Sequence, residues 1–571
     1  MDSSKSIFLS TCERNHCIFA AVMKPQRLFY ILLILWVLLD FLQAIITPIH
    51  PDEAYYALYG QFLDWGYFDH PPMVALMTAA SRLLAKGNLS IRLFTVLLHG
   101  ATVWLIWRTL DNQSQDRRSV WVFFAIAASM VMFVAYGVYT TPDAPLLFFT
   151  ALFLFLYKRY LSKPQWGIAL GLALAVSGML YSKYMAVLVV LFVLLSNLKL
   201  LKDYKIWTAL LIAALLFVPH IVWQVHHGFP SFQYHLMDRN SGFNVRYMLE
   251  YVPYQLLVFN PVCLVLAAVL VWRNRKTDNL FERACLFLIA GFVLFFFLMT
   301  FKGHAEPHWT VAASVPMLLL LAHHVPQLEW KKWMVWGIVP MACLVLLCRI
   351  LLPVLASETV NVVGNKKKIE AIHAQCGNLP VVFVGSFQNP SLYRFYTGKN
   401  AVPVSSLYGR RTQFDLWQFD KELQGKELCI ISDADAKSPV WNSEIITTPD
   451  ARFAFRKVSA FQGAGRIEIT IDHYHVQGDT ITMDLTFFNP YDEPYDFYNP
   501  EYLTTLHAAY NLGEYFPITC PIPDVFVIPA KGTAKCTTSV RLIPDTPFVL
   551  CIDNGVCRSV NSVPLKVRKH D

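Results

Sequence analysis

The residues best suited to chemistry gather in the stretch HPDEAYYALYGQFLDWGYFDHPPMVALM, residues 50–77. It sets Asp52, Glu53 and Asp69 among Tyr55 and three further tyrosines, directly after an apolar run long enough to cross a bilayer. Carboxylates beside a membrane span are costly to desolvate and usually have a task. Further along, Asp143 sits in TPDAP, Lys183 and Tyr184 in LYSKYMAV, and Lys302, His304, Glu306 and His308 in FKGHAEPHW. Taken singly, each has a plain structural reading. Asp143 fits the start of a helix, Lys183 fits a snorkelling cation at a helix end, and the acidic stretch fits a solvated loop. Taken together, acids, cations and aromatics suit sugar transfer from a lipid phosphate. A carboxylate takes the proton from an acceptor hydroxyl as it attacks the anomeric carbon. Cations receive the departing phosphate, which leaves as an anion and needs no general acid.

The elements that must position these groups are membrane helices. Of the 571 residues, 55% are hydrophobic and 15% charged, with a mean hydropathy of +0.40, and the long apolar runs all lie before about residue 355. That composition excludes an ordinary soluble enzyme and implies a polytopic membrane protein with a C-terminal globular part. Candidate spans are 27–47, 90–110, 119–137, 141–161, 166–181, 182–200, 206–226, 250–272, 280–301, 308–325 and 332–355, about eleven. An amphipathic pair near 51–65 and 72–87 belongs at the membrane surface.

Every second loop is basic. Lys24 and Arg27 come first, then Arg108, Arg117 and Arg118, then Lys158, Arg159 and Lys163. Lys199, Lys202 and Lys205 follow, then Arg273, Arg275 and Lys276, then Lys331 and Lys332. By the positive-inside rule these loops face the cytoplasm. The chemistry-bearing motifs, YTTPDAP, YSKY, VHHGFPSFQYHLMDRN and FKGHAEPHW among them, then share the opposite face, and an odd span count places the C-terminal part there too. The net charge of +8 is modest and resides in these short clusters, so it reports topology and not nucleic-acid binding. The first residues, with Cys12 and Cys17, lack the apolar core and cleavage site of a signal peptide, and MKPQRLF at Met23 reads as a natural start.

Five motifs, PDEAYYA…GYFDHPP, TPDAPLLFF, GMLYSKYMAVL, PHIVWQVHHGFPSF and KGHAEPHWTVAA, occur in this order over residues 25–350. In that order they resemble the dolichyl-phosphate-mannose–protein mannosyltransferase superfamily, and most of all its bacterial glycosyltransferase family 39 members, which include the lipid A aminoarabinose transferases. The resemblance implies a GT-C fold, a polyprenyl-phosphate-sugar donor, an external acceptor that is a glycolipid, polysaccharide or protein, and inversion at the anomeric carbon. Carried over by position, it makes Asp52 the base, Asp69 its partner in placing acceptor or sugar, and Lys183 the grip on the donor phosphate. Glu306 and His308 would line the same cavity. Where the aminoarabinose transferases have a Lys after the second acid, this chain has His70, which leaves the acceptor open.

The resulting expectation is a cytoplasmic segment 1–26, a GT-C-like membrane domain 27–355 with external loop 48–89, an external α/β domain 356–458 and a β-rich domain 459–571 resembling a sandwich. The protein is then a multi-pass glycosyltransferase of the bacterial inner membrane, with its C-terminal part periplasmic or extracellular. Glu53, Tyr55, His70, Asp143, Lys183, Tyr184, Lys302, His304, Glu306 and His308 are its expected substrate contacts. No cofactor is required. A divalent metal on His304 and His308 is the weaker reading, since Pro307 intervenes and HExxH is absent. A secondary transporter or flippase is the rival, opposed by charges gathered at one face and the lack of an internal repeat. A non-catalytic glycolipid-binding scaffold is the third reading. Six cysteines, Cys376, Cys429, Cys520, Cys536, Cys551 and Cys557, leave Cys520/Cys536 or Cys551/Cys557 open as disulfides, with buried free thiols the alternative.

Overall fold

The computed structural model describes residues 24–568 except 111–115, 236–241, 328–331, 356–364, 405–406, 408, 435–439, 449–450 and 512–513. Cys12, Cys17, Lys331, most of the 1–26 segment and the end of VHHGFPSFQYHLMDRN lie outside the described residues. The chain divides into two compact units, Met1–Ser357 and Glu358–Asp571.

The first unit is helical. Its order is α1 (Pro25–Ile46), α2 (Pro51–Tyr59), α3 (Met73–Leu84), α4 (Leu89–Thr109), α5 (Arg117–Ser129), α6 (Val131–Ala135), α7 (Asp143–Ser162), α8 (Trp166–Ser182) and α9 (Ala186–Ser196). There follow α10 (Tyr204–His226), α11 (Pro230–Gln233), α12 (Val245–Phe259), α13 (Pro261–Arg273), α14 (Leu280–Met299), α15 (Ser314–His324) and α16 (Lys332–Leu355). A 3₁₀ segment, Pro307–Ala313, leads into α15.

Among the described residues, α1, α4, α7, α10, α14 and α16 are long and apolar enough to cross a bilayer, and α12 with α13 makes a seventh if a pair bent by 99° counts as one span. The expected eleven full spans are therefore not all met. The other candidates fold as shorter pieces. The 119–137 run breaks at Met130 into α5 and α6, whereas 166–181 and 182–200 form the two separate helices expected, α8 and a shorter α9, parted at Lys183, whose backbone is extended. Hydropathy detects apolar composition but not the point where a helix stops.

Lipid-facing and core-facing sides are plain in the side chains. Ile34, Leu38, Leu211, Leu215, Leu294 and Leu298 are half or more exposed, as a hydrocarbon-facing surface requires, whereas Phe29, Phe123, Phe133, Tyr157 and Phe292 pack inside. The broken pair α12–α13 turns at Asn260, held at φ 69°, where Pro261 denies the ladder its N–H and the Asn260 side chain accepts from Val262 N at 2.8 Å.

The second unit opens with a helix, Asn365–Cys376, and a mixed sheet of order β2-β1-β3-β5-β4, from Ala401–Val404, Val381–Val384, Leu428–Asp433, Ala451–Val458 and Glu444–Thr448. The expected hairpin is present as β6 (Glu468–Gln477) and β7 (Thr480–Phe488) around Gly478-Asp479. With β12 (Thr533–Arg541) it forms one layer, and Tyr515–Cys520, Thr505–Asn511, Phe548–Asp553 and Arg558–Val560 form the other. Ile469, Met483, Leu485, Leu506, Phe548 and Leu550 fill the space between, as expected of alternating strands that each bury one face. All ten described cysteines are free thiols, Cys520, Cys536, Cys551 and Cys557 included.

Candidate active site

Adjacent residues on an α-helix point about 100° apart, and this separates the fates of Asp52 and Glu53. His50 caps α2 by accepting from Asp52 N at 3.2 Å, while the Glu53 carboxylate accepts from His50 N at 3.0 Å. Pro51 suits the first helical position, where no backbone donor is needed. Glu53 then turns inward. It is 1% exposed and is gripped by Arg92 through Nε at 2.7 Å and Nη2 at 2.5 Å, with Thr140 N a further donor at 2.9 Å. Arg92 also donates to the carbonyls of Ala44, Thr47 and Pro48, so one buried guanidinium ties the end of α1 to α2 and α4. Asp52 turns outward with 38% of its side chain exposed, 3.9 Å from His50 Nδ1.

The segment after α2 is held as tightly. Tyr67 stacks on Tyr59 at 3.9 Å and donates to Tyr59 O and Phe62 O. Tyr59 in turn donates to Asp69 Oδ1 at 2.6 Å, fixing a carboxylate that is 5% exposed. A Cβ on Gly66 would lie 2.4 Å from the Trp223 ring, so the loop can press onto α10 only at a glycine. Trp223 Nε1 donates to Asp64 at 2.7 Å. His220 Nδ1 lies 2.7 Å from Trp65 O. Because a carbonyl only accepts, Nδ1 carries the proton, and Nε2 accepts from Tyr184 OH at 2.9 Å. Gln224 and Ser231 extend this network to Tyr67 O, and His235 Nε2 donates to Asp69 O at 3.0 Å.

The mid-bundle cation meets its own acid. Lys183 Nζ donates to both oxygens of Asp143, at 2.8 and 2.9 Å, and both side chains are about nineteen-twentieths buried (6% and 5% exposed). Around them the charges converge. His70 lies within the fields of Asp69, Lys183, His235 and Asp143, and burial pushes its imidazole down to about 3, outweighing Asp69. Its Nδ1 is buried with no hydrogen-bond partner among the described residues. Burial, followed by Asp52, Asp69 and Asp143, holds the Tyr56 phenol well above its ordinary range. Burial, Asp143, Asp52 and Glu306 do the same for Tyr136, in the loop before α7.

The expected groups therefore divide. Asp52, Asp69, His70, Asp143, Lys183 and Glu306 share one electrostatic neighbourhood, with Tyr184 in the hydrogen-bonded wall and Tyr55 packed edge-on against Tyr59. Glu53 belongs to the supporting frame. His304 lies 3.7 Å from Glu306 and edge-on to Tyr247 of α12, His308 is half-buried, and Lys302 is exposed. His304 lies before the 3₁₀ segment, so the shared helical face needed for a His304/His308 metal pair does not form. Among the described residues no three His, Cys, Asp or Glu are grouped to hold a metal.

Sequence reasoning missed Arg92, Tyr59, Tyr136 and His235. It also missed a buried cluster in which Arg349 Nη2 meets Asp40 at 2.5 Å, Arg349 Nε meets Gln43, and His99 Nδ1 meets Asp40 at 2.8 Å. Lone ionisable residues inside apolar runs were the available signal.

Residues 69–223 match the family model described as dolichyl-phosphate-mannose-protein mannosyltransferase. The chain is 28% identical over 299 residues to the lipid A galacturonosyltransferase RgtD of Rhizobium johnstonii, a match covering 50% of this chain and 62% of that relative, less than two thirds of its length. Crystal structures of ArnT from Cupriavidus metallidurans share the fold. The apo state has a TM-score of 0.58 at 14% identity, covering 76% of this chain and 98% of ArnT. The form bound to undecaprenyl phosphate gives 0.54 at 15% identity, covering 75% and 97%. The motifs and these matches agree on one conclusion, that this chain shares the fold of ArnT and, over residues 69–223, matches the family model described as dolichyl-phosphate-mannose-protein mannosyltransferase.

Proposed function

We propose that this protein is a membrane glycosyltransferase that moves a sugar from polyprenyl phosphate to a glycolipid acceptor. The observation that carries the reading is the division of labour among the acids. Asp52 keeps 38% of its side chain exposed, while Asp69 and Asp143 are buried, Asp69 bonded to Tyr59 and Asp143 to Lys183, within reach of the same aromatic wall. A solvent-exposed carboxylate can take the acceptor's proton. The acceptor oxygen then bonds to the anomeric carbon as the bond from that carbon to the phosphate oxygen breaks, and the electron pair leaves with the phosphate. Lys183 receives that anion, so the chemistry requires no metal. Tyr59 and His235 keep Asp69 in position to orient the reacting hydroxyls.

The basic loops support an inner-membrane placement with the site on the external side, and counting the bent α12–α13 pair as a seventh span puts the C-terminal unit there too. The likeness to a lipid A galacturonosyltransferase supports a lipid acceptor and makes a carboxylate-bearing sugar the first donor to test. The matched relatives are transferases, and none supports the transporter reading. The test combines purified protein, polyprenyl-phosphate sugars and lipid A, with the acceptor's mass as readout. Asp52→Asn is expected to insert normally and transfer nothing; full turnover by that variant would remove Asp52 as the base. Uptake into liposomes without a covalent product would replace the transferase reading by the transporter.

A further inference from the structure

The Lys183–Asp143 pair presents a difficulty for donor binding. Both Lys183–oxygen contacts are short and both side chains are about nineteen-twentieths buried, so the ammonium expected to meet a phosphate is already matched by a carboxylate. In a low-dielectric setting such a pair holds strongly, and an uncompensated partner is costly. Asp143 is moreover the first residue of α7, where the helix N-terminus favours an anion. The surrounding groups add no surplus positive charge, since Asp69 and Asp52 also act on this neighbourhood and His70 is held neutral by its burial.

We propose that Asp143 is a positioning residue that stands in for the donor phosphate on Lys183 and then helps expel the spent lipid carrier. The inference rests on the transfer reading above. Between turnovers the carboxylate keeps the Lys183 ammonium aimed. When the donor binds, one phosphodiester charge shares or takes that ammonium. Transfer then changes the charge. The leaving group becomes a phosphomonoester, and such a group carries about −1.5 to −2 at neutral pH. Asp143 therefore repels the product more than the donor and is ready to reclaim Lys183 as the carrier departs. A carboxylate that merely neutralised Lys183 for folding would show no such bias.

The test measures undecaprenyl phosphate binding to the full chain in detergent, beside sugar transfer by the same preparation. Asp143→Asn is expected to bind undecaprenyl phosphate about tenfold or more tightly than wild type, from the loss of one like charge a few ångströms away. Its steady-state kcat falls below its single-turnover rate because release becomes limiting. Unchanged or weaker binding would overturn the proposal. Should Asp143→Asn not fold, Lys183→Met and Asp143→Asn/Lys183→Met decide it. The double variant must bind undecaprenyl phosphate more tightly than the single, and the reverse order would mean that Asp143 assists binding. Absence of transfer by wild type would sink the transferase reading, whereas the affinity ratio between variants tests the role of Asp143.

Discussion

Replacing Glu53 by Gln separates framework from chemistry at two adjacent positions. The Glu53 carboxylate accepts from Arg92 Nε and Nη2, Thr140 N and His50 N. Gln keeps the shape but exchanges one acceptor oxygen for an NH₂ that faces donors. It also leaves a guanidinium that is 0% exposed without a charged carboxylate from Glu53. Breaking one side of a buried pair costs about 3–5 kcal/mol, a large share of the roughly 5–15 kcal/mol that holds a typical domain. Glu53→Gln should therefore lower the apparent melting temperature of the detergent-solubilised protein steeply and lose transfer in proportion to unfolding. Asp52→Asn, one residue away and outward-facing, should leave the melting temperature within error while abolishing transfer. A Glu53→Gln protein with wild-type melting and a raised KM alone would refute the argument and return Glu53 to the substrate.

Three further outcomes follow from the geometry. Tyr59→Phe removes a hydrogen bond to a buried carboxylate, worth about 1.5–3 kcal/mol; kcat should fall by tenfold or more with KM little changed, and normal kcat would show that Asp69 does not need that hydroxyl. His70, pushed down to about 3 from an ordinary 6.5, stays neutral in the fold while the unfolded chain takes up a proton below 6.5. Its contribution is thus full above that pH and lost as pH falls toward 3, so His70→Gln should flatten the acid side of a stability-against-pH curve, and an unaltered curve would contradict the burial argument. At the bend between α12 and α13, Asn260→Ala should cost about 1–3 kcal/mol at a positive φ and Asn260→Gly much less, measured by thermal unfolding; equal losses would place the effect in the side chain.

Much was legible without coordinates because it depends on composition and local order. The membrane class, the apolar segments, the β6–β7 hairpin and the motif set around Asp52, Asp69, Asp143 and Lys183 all follow from residue types and near-neighbour spacing. What hydropathy could not supply is where an apolar run such as 119–137 or 250–272 bends or stops, as at Met130 and Asn260, since those breaks depend on backbone conformation and on what the freed groups then bond. Nor could it tell Asp52 from Glu53. They are neighbours in sequence and equal in charge, and an arginine 39 residues away from Glu53 on another helix makes that one a frame while Asp52 faces outward. Lys183 likewise reads as a free cation in LYSKYMAV until packing brings Asp143, 40 residues distant, against it. Charge is a local property of the chain, but whether a charge is paired or available is settled by which helices meet.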